Sequence, residues 1–229
     1  MNFLLNLLFP ARCLVCNSYL PPRESLCQNC TNGIELRKNF MCGTCFARFP
    51  ETNKICHKDT PYVLGAAANY EGEAVKKLVT ELKFKGVRLA ASPLADMLIR
   101  YAKTVSLPME RAAVVPVPLG VERMKKRGFN QSELIAMQFA AHFDLPLFSH
   151  ALMRLKNTPP QSELPFKERG ANVAQAFRAN EALLKGYRSV ILIDDVTTSG
   201  ATFAEASRAL KAAGVRTIYA LAVAKAGGY

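Results

Sequence analysis

Two adjacent aspartates, Asp194 and Asp195, stand between an apolar run and a hydroxyl-rich turn. Residues 190–193 read Val-Ile-Leu-Ile, and residues 197–202 read Thr-Thr-Ser-Gly-Ala-Thr. A turn of this composition that leads into a helix presents backbone N–H groups and hydroxyls at the positive end of the helix dipole. The pattern therefore predicts a phosphate site, with the two carboxylates facing hydroxyl groups or a metal ion. Simple N-capping of the helix by these residues is the structural alternative.

Cysteines form the second group of residues that could do chemistry, and all seven lie between positions 13 and 56. The first four form two Cys-x-x-Cys pairs separated by ten residues: Cys13, Cys16, Cys27 and Cys30. Such pairs place four thiolates around Zn²⁺, and four protein ligands leave no position for a catalytic water. The spacing thus predicts a zinc ribbon with structural zinc. A redox pair would instead require a strand-helix-strand context, which is not predicted before residue 60.

The remaining three cysteines repeat part of this spacing. Cys42, Cys45 and Cys56 are followed by His57 and Lys58, and no fourth cysteine comes after them. His57 is the candidate fourth ligand of a second zinc ion, although adjacent ligands require a sharp bend of the chain. Buried or free thiols are the alternative.

A basic segment follows the apolar residues 112–119. Pro116 and Pro118 indicate that a strand ends there, because proline is confined to strand ends and edges. The following loop carries Arg123, Lys125, Lys126 and Arg127. Beside a phosphate site, this loop is suited to pyrophosphate. A solvated basic face is the alternative.

Hydrophobic periodicity predicts the elements that position these residues. Strand-like and helical segments alternate after residue 60. Strands are expected at 62–70, 112–119, 189–195 and 216–224, and helices at 73–84, 89–104, 131–143 and 201–213. This alternation predicts an α/β domain with a mainly parallel sheet over residues 61–229, after an N-terminal helix and zinc-ribbon module over residues 1–60.

Composition narrows the class of protein and its compartment. Half of the 229 residues are hydrophobic and 21% are charged, as in globular proteins, and the net charge of +12 favours phosphate-bearing partners. No apolar run reaches the roughly 18 residues that a membrane-spanning helix needs. Asn6 interrupts the apolar start, so we expect a short amphipathic helix there rather than a secretory signal, and a cytoplasmic protein.

The complete stretch 190–202 resembles the phosphoribosyl pyrophosphate (PRPP) signature of type I phosphoribosyltransferases. The resemblance implies that Asp194 and Asp195 meet the ribose 2′ and 3′ hydroxyls, directly or through Mg²⁺. It also implies that the 5-phosphate is wrapped by Thr197, Thr198, Ser199, Gly200, Ala201 and Thr202.

Three further motifs make the resemblance more specific. Val-Pro-Val-Pro-Leu at 115–119, Arg-Gly-Phe-Asn-Gln at 127–131 and Arg-Gly-Ala-Asn at 169–172, with the cysteine-rich start, are similar to the ComF family. The family implies a type I phosphoribosyltransferase fold behind the zinc ribbon, with Arg127 and Arg169 facing the anionic ligand. Asn130 belongs to the same family pattern, and a structural role as the cap of the next helix is equally expected for it. The structural alternative for Arg169 is that it orders a loop.

The resemblance also implies a role in natural competence, in which single-stranded DNA is taken up into the cytoplasm. Three functions stay open at this stage. The chain is a transferase whose acceptor cannot be identified, a PRPP-sensing module that signals to a DNA-handling competence protein, or a zinc-ribbon adaptor for nucleic acid. The sequence contains no tryptophan and no evident set of interleaved aromatic residues on which bases could stack, and this counts against the adaptor.

Overall fold

A computed structural model of the chain describes residues 10–22, 24–49, 56–57, 59–155 and 175–227. The strands are β1 (Phe40–Cys42), β2 (Arg48–Phe49), β3 (Val63–Asn69), β4 (Ala112–Pro116), β5 (Leu152–Arg154), β6 (Phe177–Ala179), β7 (Ser189–Thr197) and β8 (Thr217–Lys225). The helices are α1 (Gln28–Asn32), α2 (Glu73–Phe84), α3 (Ala91–Thr104), α4 (Val121–Arg127), α5 (Gln131–His142), α6 (Glu181–Leu184) and α7 (Ala201–Ala212), with a short 3-10 helix at Arg88–Ala90. The helix predicted near the N-terminus lies outside the described residues.

A six-stranded sheet in the order β2-β1-β3-β8-β7-β4 forms the centre of the fold. The four strands β3, β8, β7 and β4 run parallel, whereas β1 is antiparallel to both β2 and β3. A separate antiparallel pair is formed by β5 and β6. The predicted α/β class with a mainly parallel sheet is confirmed.

Helices cover both faces of this sheet, which explains the continuous apolar run of β7. Ile191 and Ile193 pack in one core with α2, α3 and α5, while Val190 and Leu192 pack in the other core with α7 and the β5–β6 pair. All four side chains are fully buried. A strand buried on both faces cannot alternate polar and apolar residues.

The cysteine-rich part is joined to this sheet. Met41 of β1 pairs with Leu64 of β3, and the Tyr101 hydroxyl of α3 donates to the Asn39 carbonyl at 2.8 Å. The predicted domain boundary near residue 60 therefore falls between two strands of one sheet, and the division itself stays a prediction.

One predicted loop is a helix in the structure. The basic segment after β4 forms α4, which has Glu122 in its first turn and three basic residues in its last. These charges suit the helix dipole, and Gly128 ends the helix at a φ of 75°. Within the ranges that the structure describes, no helix has the length and apolar character to cross a bilayer.

Candidate functional site

Asp194 and Asp195 lie near the end of β7, at the sheet edge where the parallel strands finish. Asp194 Oδ1 accepts hydrogen bonds from Ser132 Oγ at 2.7 Å and from the Asp195 backbone N–H at 2.9 Å. Asp195 Oδ1 accepts from the Val196 backbone N–H at 2.6 Å and lies 2.8 Å from Lys83 Nζ. A hydroxyl, an ammonium group and two backbone donors thus hold the carboxylate pair.

The other carboxylate oxygen of Asp195 is unsatisfied. Asp195 Oδ2 is buried and has no hydrogen-bond partner in the part of the chain that the structure describes. An unpaired buried polar atom costs about 1–3 kcal/mol, and such atoms are uncommon in native proteins. This oxygen is therefore a candidate contact for a ligand hydroxyl or a cation.

The environment of Asp194 changes its titration. Burial and the neighbouring charge of Asp195 raise the pKa of Asp194 to about 7, although the Lys83 ammonium group and the Ser132 hydroxyl act in the opposite direction. A carboxyl group with such a pKa changes its charge near neutral pH. Perturbed carboxyl pairs of this kind concentrate at functional sites.

The turn after β7 leads directly into a helix. Gly200, at a φ of 73°, immediately precedes the twelve-residue helix α7, and this φ is one that glycine adopts most easily. The carboxylates of Asp194 and Asp195 accept from backbone N–H groups of their own strand and do not cap the helix, whereas Ser199 Oγ accepts from the Ala201 backbone N–H at 3.5 Å. Thr198 and Thr202, on either side of Gly200, line one cleft with the two aspartates.

A cleft of about 640 Å³ lies in front of the aspartates and the turn. The predicted residues that line it are Asp194, Asp195, Thr198, Thr202 and Arg127. Thr197, Ser199, Gly200 and Ala201 complete the turn beside them. Arg169, the other arginine that the resemblance suggested, lies outside the described residues.

Six basic side chains line the same cleft. They come from the end of α2 and the residue after it, from α4 and from β5: Lys83, Lys85, Arg123, Lys126, Arg127 and Arg154. Burial lowers the pKa of Arg127, but the charges of Asp195 and Asp194 oppose this change. The concentration of positive charge in a concave site attracts polyanions such as pyrophosphate.

Asn130 caps the start of α5, which was one of the two roles predicted for it. Its Oδ1 accepts from the Ser132 backbone N–H at 3.1 Å, and its Nδ2 donates to the Val117 carbonyl at 3.0 Å. The cap fixes the start of α5, and this start presents the Ser132 hydroxyl to Asp194.

The four cysteines of the first cluster converge. Their sulfur atoms all lie within 4.8 Å of one another, and Cys16 Sγ is 3.6 Å from Cys27 Sγ. A tetrahedral zinc ion with Zn–S bonds of about 2.3 Å requires sulfur atoms about 3.8 Å apart. Cys13 Sγ accepts from the backbone N–H groups of Val15 and Cys27, at 3.5 and 3.4 Å. The donor set fits structural zinc.

The second cluster also converges, and it includes His57. The ligand atoms of Cys42, Cys45, Cys56 and His57 lie within 4.8 Å of one another. The adjacent pair bends as required, since Cys56 Sγ is 3.2 Å from His57 Nδ1. Cys42 Sγ lies 3.5 Å from the same nitrogen and accepts from the Thr44 backbone N–H at 3.4 Å. Three thiolates and one imidazole are a ligand set that zinc accepts.

The thiol pKa values show why these clusters suit a cation. Hydrogen bonds from Ser18 lower the pKa of Cys16 to about 6, while burial and the neighbouring thiols raise that of Cys30. Burial acts to raise the pKa of Cys42, but hydrogen bonds from backbone N–H groups outweigh burial and hold this pKa at about 6. Contacts with the thiols of Cys42 and Cys45 raise the pKa of Cys56 to about 12. Adjacent thiolates repel, and a divalent cation removes that repulsion.

Tyr62 connects the second cluster to the turn before α7. Its hydroxyl lies 3.1 Å from the Gly43 carbonyl oxygen and 3.3 Å from the Gly200 carbonyl oxygen. Gly43 lies between the cluster ligands Cys42 and Cys45, so one phenol group contacts both structures. Burial raises the pKa of Tyr62, which keeps the hydroxyl protonated as a donor.

Two residues that contact the aspartates were missed in the sequence, as were Lys85 and Arg154 of the cleft lining. Lys83 and Ser132 lie far from the aspartates along the chain, in the helices α2 and α5. The only available signal for Ser132 was its position at the start of a helix that follows a strand end. Lys83 had no such signal.

Comparison with known proteins gives a family relationship for both parts of the chain. Residues 4–59 match the double zinc ribbon domain family. Competence protein F of Haemophilus influenzae is 30% identical over 99% of this chain and 100% of its own length. The DNA utilization protein YhgH of Escherichia coli K12 is 29% identical over 86% of this chain and 83% of its own. Competence protein ComFC of Bacillus subtilis is 27% identical over 86% and 88%.

Proposed function

Because this chain belongs to the ComF family, we propose that it binds PRPP with Mg²⁺ in the cleft beside Asp194 and Asp195 and acts in DNA uptake during competence. The observation that carries the proposal is the unpaired buried oxygen of Asp195 next to a phosphate-type turn. The cytoplasmic location expected from the sequence is part of the same proposal.

The turn would hold the 5-phosphate. Thr198 and Thr202 line the cleft and can donate their hydroxyl hydrogens to phosphate oxygens. The backbone N–H groups that open α7 supply further donors, and the helix dipole favours the negative charge. Gly200 supplies the positive φ of 73° that lets the turn lead directly into α7.

The two carboxylates would hold the ribose ring. Asp195 Oδ2 is available to a 2′ or 3′ hydroxyl, which would remove the cost of leaving this oxygen unpaired. Carboxylate oxygens are also the ligands that Mg²⁺ prefers, so the donor set fits this ion. When bound, Mg²⁺ would offset the negative charge of pyrophosphate as it leaves C1 of the ribose.

The basic side chains of α4 would face the pyrophosphate. Arg123, Lys126 and Arg127 line the cleft on the segment after β4, while Lys83 and Lys85 line it from the end of α2. Arginine can bind phosphate oxygens in a bidentate manner, whereas lysine acts as a point charge. Their combined charge offsets that of a bound polyanion.

This arrangement would support phosphoribosyl transfer. Departure of pyrophosphate builds positive charge on the ribose, and carboxylates held next to the ring stabilise such charge without reorganisation. Ser132 and Lys83 fix the two carboxylates in position. Binding without transfer uses the same groups, so a PRPP-sensing module shares this site.

The competence role is supported by the names of the relatives. Competence protein F and ComFC refer to competence, and YhgH is described as a DNA utilization protein. A DNA-handling partner, either single-stranded DNA or another competence protein, is consistent with the net charge of +12.

Isothermal titration of the zinc-loaded chain with PRPP and MgCl₂ tests the binding proposal. We expect saturable binding in the wild type and at least a tenfold loss in Asp194→Asn/Asp195→Asn, because the ribose and metal ligands lose their charge. Asp96→Asn is the matched control, since this carboxylate is exposed on α3 outside the cleft lining. Absence of wild-type binding at millimolar PRPP would refute the proposal.

A second assay separates transfer from sensing. Pyrophosphate release in the presence of candidate acceptors identifies a transferase, and Asp195→Asn should abolish it. PRPP binding without release would favour the sensing module. Binding of single-stranded DNA that is independent of PRPP and falls steeply with salt would favour the zinc-ribbon adaptor.

A further inference from the structure

We propose that Tyr62 is a positioning residue that couples metal binding at the second cysteine cluster to phosphate binding by the turn before α7. The inference rests on the proposed function, because the phosphate ligand of the turn is the 5-phosphate of PRPP. It adds a physical connection between the zinc-ribbon part and the ligand site, which the sequence placed in separate domains.

The connection is made by one hydroxyl group between two backbone carbonyls. Tyr62 has a single hydroxyl hydrogen, which is shared between the Gly43 oxygen at 3.1 Å and the Gly200 oxygen at 3.3 Å. The ring is buried and packs against Phe203 of α7, with ring centroids 6.1 Å apart. A displacement of either carbonyl therefore changes the hydrogen bonding of the other.

The surrounding space is too small for this contact to relax independently. A Cβ atom at Gly200 would lie 2.5 Å from Tyr62 Oη and 3.5 Å from the Gly43 carbonyl oxygen. A Cβ atom at Gly43 would lie 2.6 Å from Tyr62 Cζ. The two glycine backbones are therefore in close contact with the same side chain, and a movement of either one displaces Tyr62.

The position of Gly43 within the second cluster gives the contact its significance. Gly43 lies between two of the four cluster ligands, so metal binding determines the path of its backbone. Gly200 begins the helix whose first N–H groups would bind the phosphate. The bound metal ion and the bound phosphate thus favour the same arrangement of the Tyr62 contact. By thermodynamic linkage, each of them tightens the binding of the other by the same factor.

Cobalt substitution measures the metal side of the coupling. Tetrahedral Co²⁺ absorbs differently in a four-sulfur site and in a site with three sulfurs and one nitrogen, so the two clusters can be titrated separately in the full chain. We expect saturating PRPP and Mg²⁺ to tighten cobalt binding at the second cluster about fivefold and to leave the first cluster unchanged. Tyr62→Phe retains the ring and should abolish this effect.

A glycine pair provides the matched control. Gly200→Ala should weaken cobalt binding at the second cluster, because the new methyl group meets the Tyr62 hydroxyl. Gly214 follows the same helix at a φ of 87° with no atom within 4 Å of a Cβ position, so Gly214→Ala has the backbone strain without the contact. Tyr62→Phe should partly restore cobalt binding in Gly200→Ala, because it removes the clashing oxygen.

The outcomes separate the two proposals. Equal cobalt affinity of Gly200→Ala and Gly214→Ala at the second cluster would overturn the coupling, whether or not PRPP binds. Absence of wild-type PRPP binding would refute the proposed function, while the glycine comparison would still decide the mechanical contact. If PRPP and Mg²⁺ still tighten cobalt binding at the second cluster in Tyr62→Phe, another residue carries the coupling and Tyr62 is excluded.

Discussion

Replacement of Lys83 should destabilise the folded chain through the carboxylate that it leaves behind. Lys83 Nζ lies 2.8 Å from Asp195 Oδ1, and the two side chains are 20% and 3% exposed. Loss of one partner of a fully buried ion pair costs about 3–5 kcal/mol, whereas an exposed pair contributes about 0.2–1 kcal/mol. Because Lys83 is partly exposed, we expect Lys83→Met to cost about 2 kcal/mol.

Urea unfolding followed by circular dichroism measures this change in the zinc-loaded chain. Lys85→Met is the matched control, since Lys85 is paired with Glu81 at 2.7 Å but its side chain is 61% exposed. We expect the control to lose less than about 0.5 kcal/mol. In a chain of this length, a loss of 2 kcal/mol lowers the melting temperature by about 4–8 °C.

A charge-dependent readout distinguishes the ion pair from lost packing. Removal of the Asp195 charge should make the loss of Lys83 less harmful, so the double variant Lys83→Met/Asp195→Asn should be more stable than the sum of the single effects predicts. Mg²⁺ should stabilise Lys83→Met more than the wild type, because it replaces the missing positive charge. Equal stability of Lys83→Met and Lys85→Met would refute the reasoning.

Three further predictions concern packing, titration and metal. Gly65→Ala should cost about 1–3 kcal/mol, because its Cβ would lie 2.6 Å from Leu221 Cδ2, whereas Gly33→Ala, with 3.5 Å to its nearest atom, should be tolerated; urea unfolding compares them. The pKa of Asp194 is about 7 in the folded chain and about 4 in the unfolded chain, so the unfolded chain loses this proton first as pH rises. The free energy of unfolding should therefore fall by about 3 kcal/mol between pH 5 and 8 relative to Asp194→Asn, measured by urea unfolding at both values. Elemental analysis should give two zinc ions per chain and one in His57→Ala; two in the variant would exclude His57 as a required ligand.

Strong periodicity made most of the fold predictable. The helix predicted at 73–84 coincides with α2, and the strand predicted from residue 112 ends at Pro116 as proline chemistry requires. The helix α4 was missed because its basic residues showed no apolar face, and none of its side chains is buried. The short strands β5 and β6 have three residues each, which is too few to show a period.

The candidate site was predictable only where it is continuous in the sequence. The aspartates and the turn occur in one stretch of nine residues, whose carboxylates, hydroxyl groups and glycine are residue types typical of a phosphate or metal site. Lys83 and Ser132 reach the aspartates from 112 and 62 positions away, respectively, as numbering and topology show. Their contribution depends on the tertiary fold: Ser132 lies at the start of α5 and Lys83 near the end of α2, and both helices reach the end of β7.

The pairing of β3 has a consequence for the order in which the chain folds during its synthesis. β3 takes one neighbour from β1, about 20 residues earlier, and the other from β8, which starts at residue 217. At about 5–20 residues per second, the ribosome needs roughly 7–30 s to make the intervening chain. Throughout that interval one edge of β3 has no strand beside it, while the β1 side can already pair locally. Metal binding by the nascent cysteine clusters would fix β1 early and leave a single unpaired edge for β8 to close.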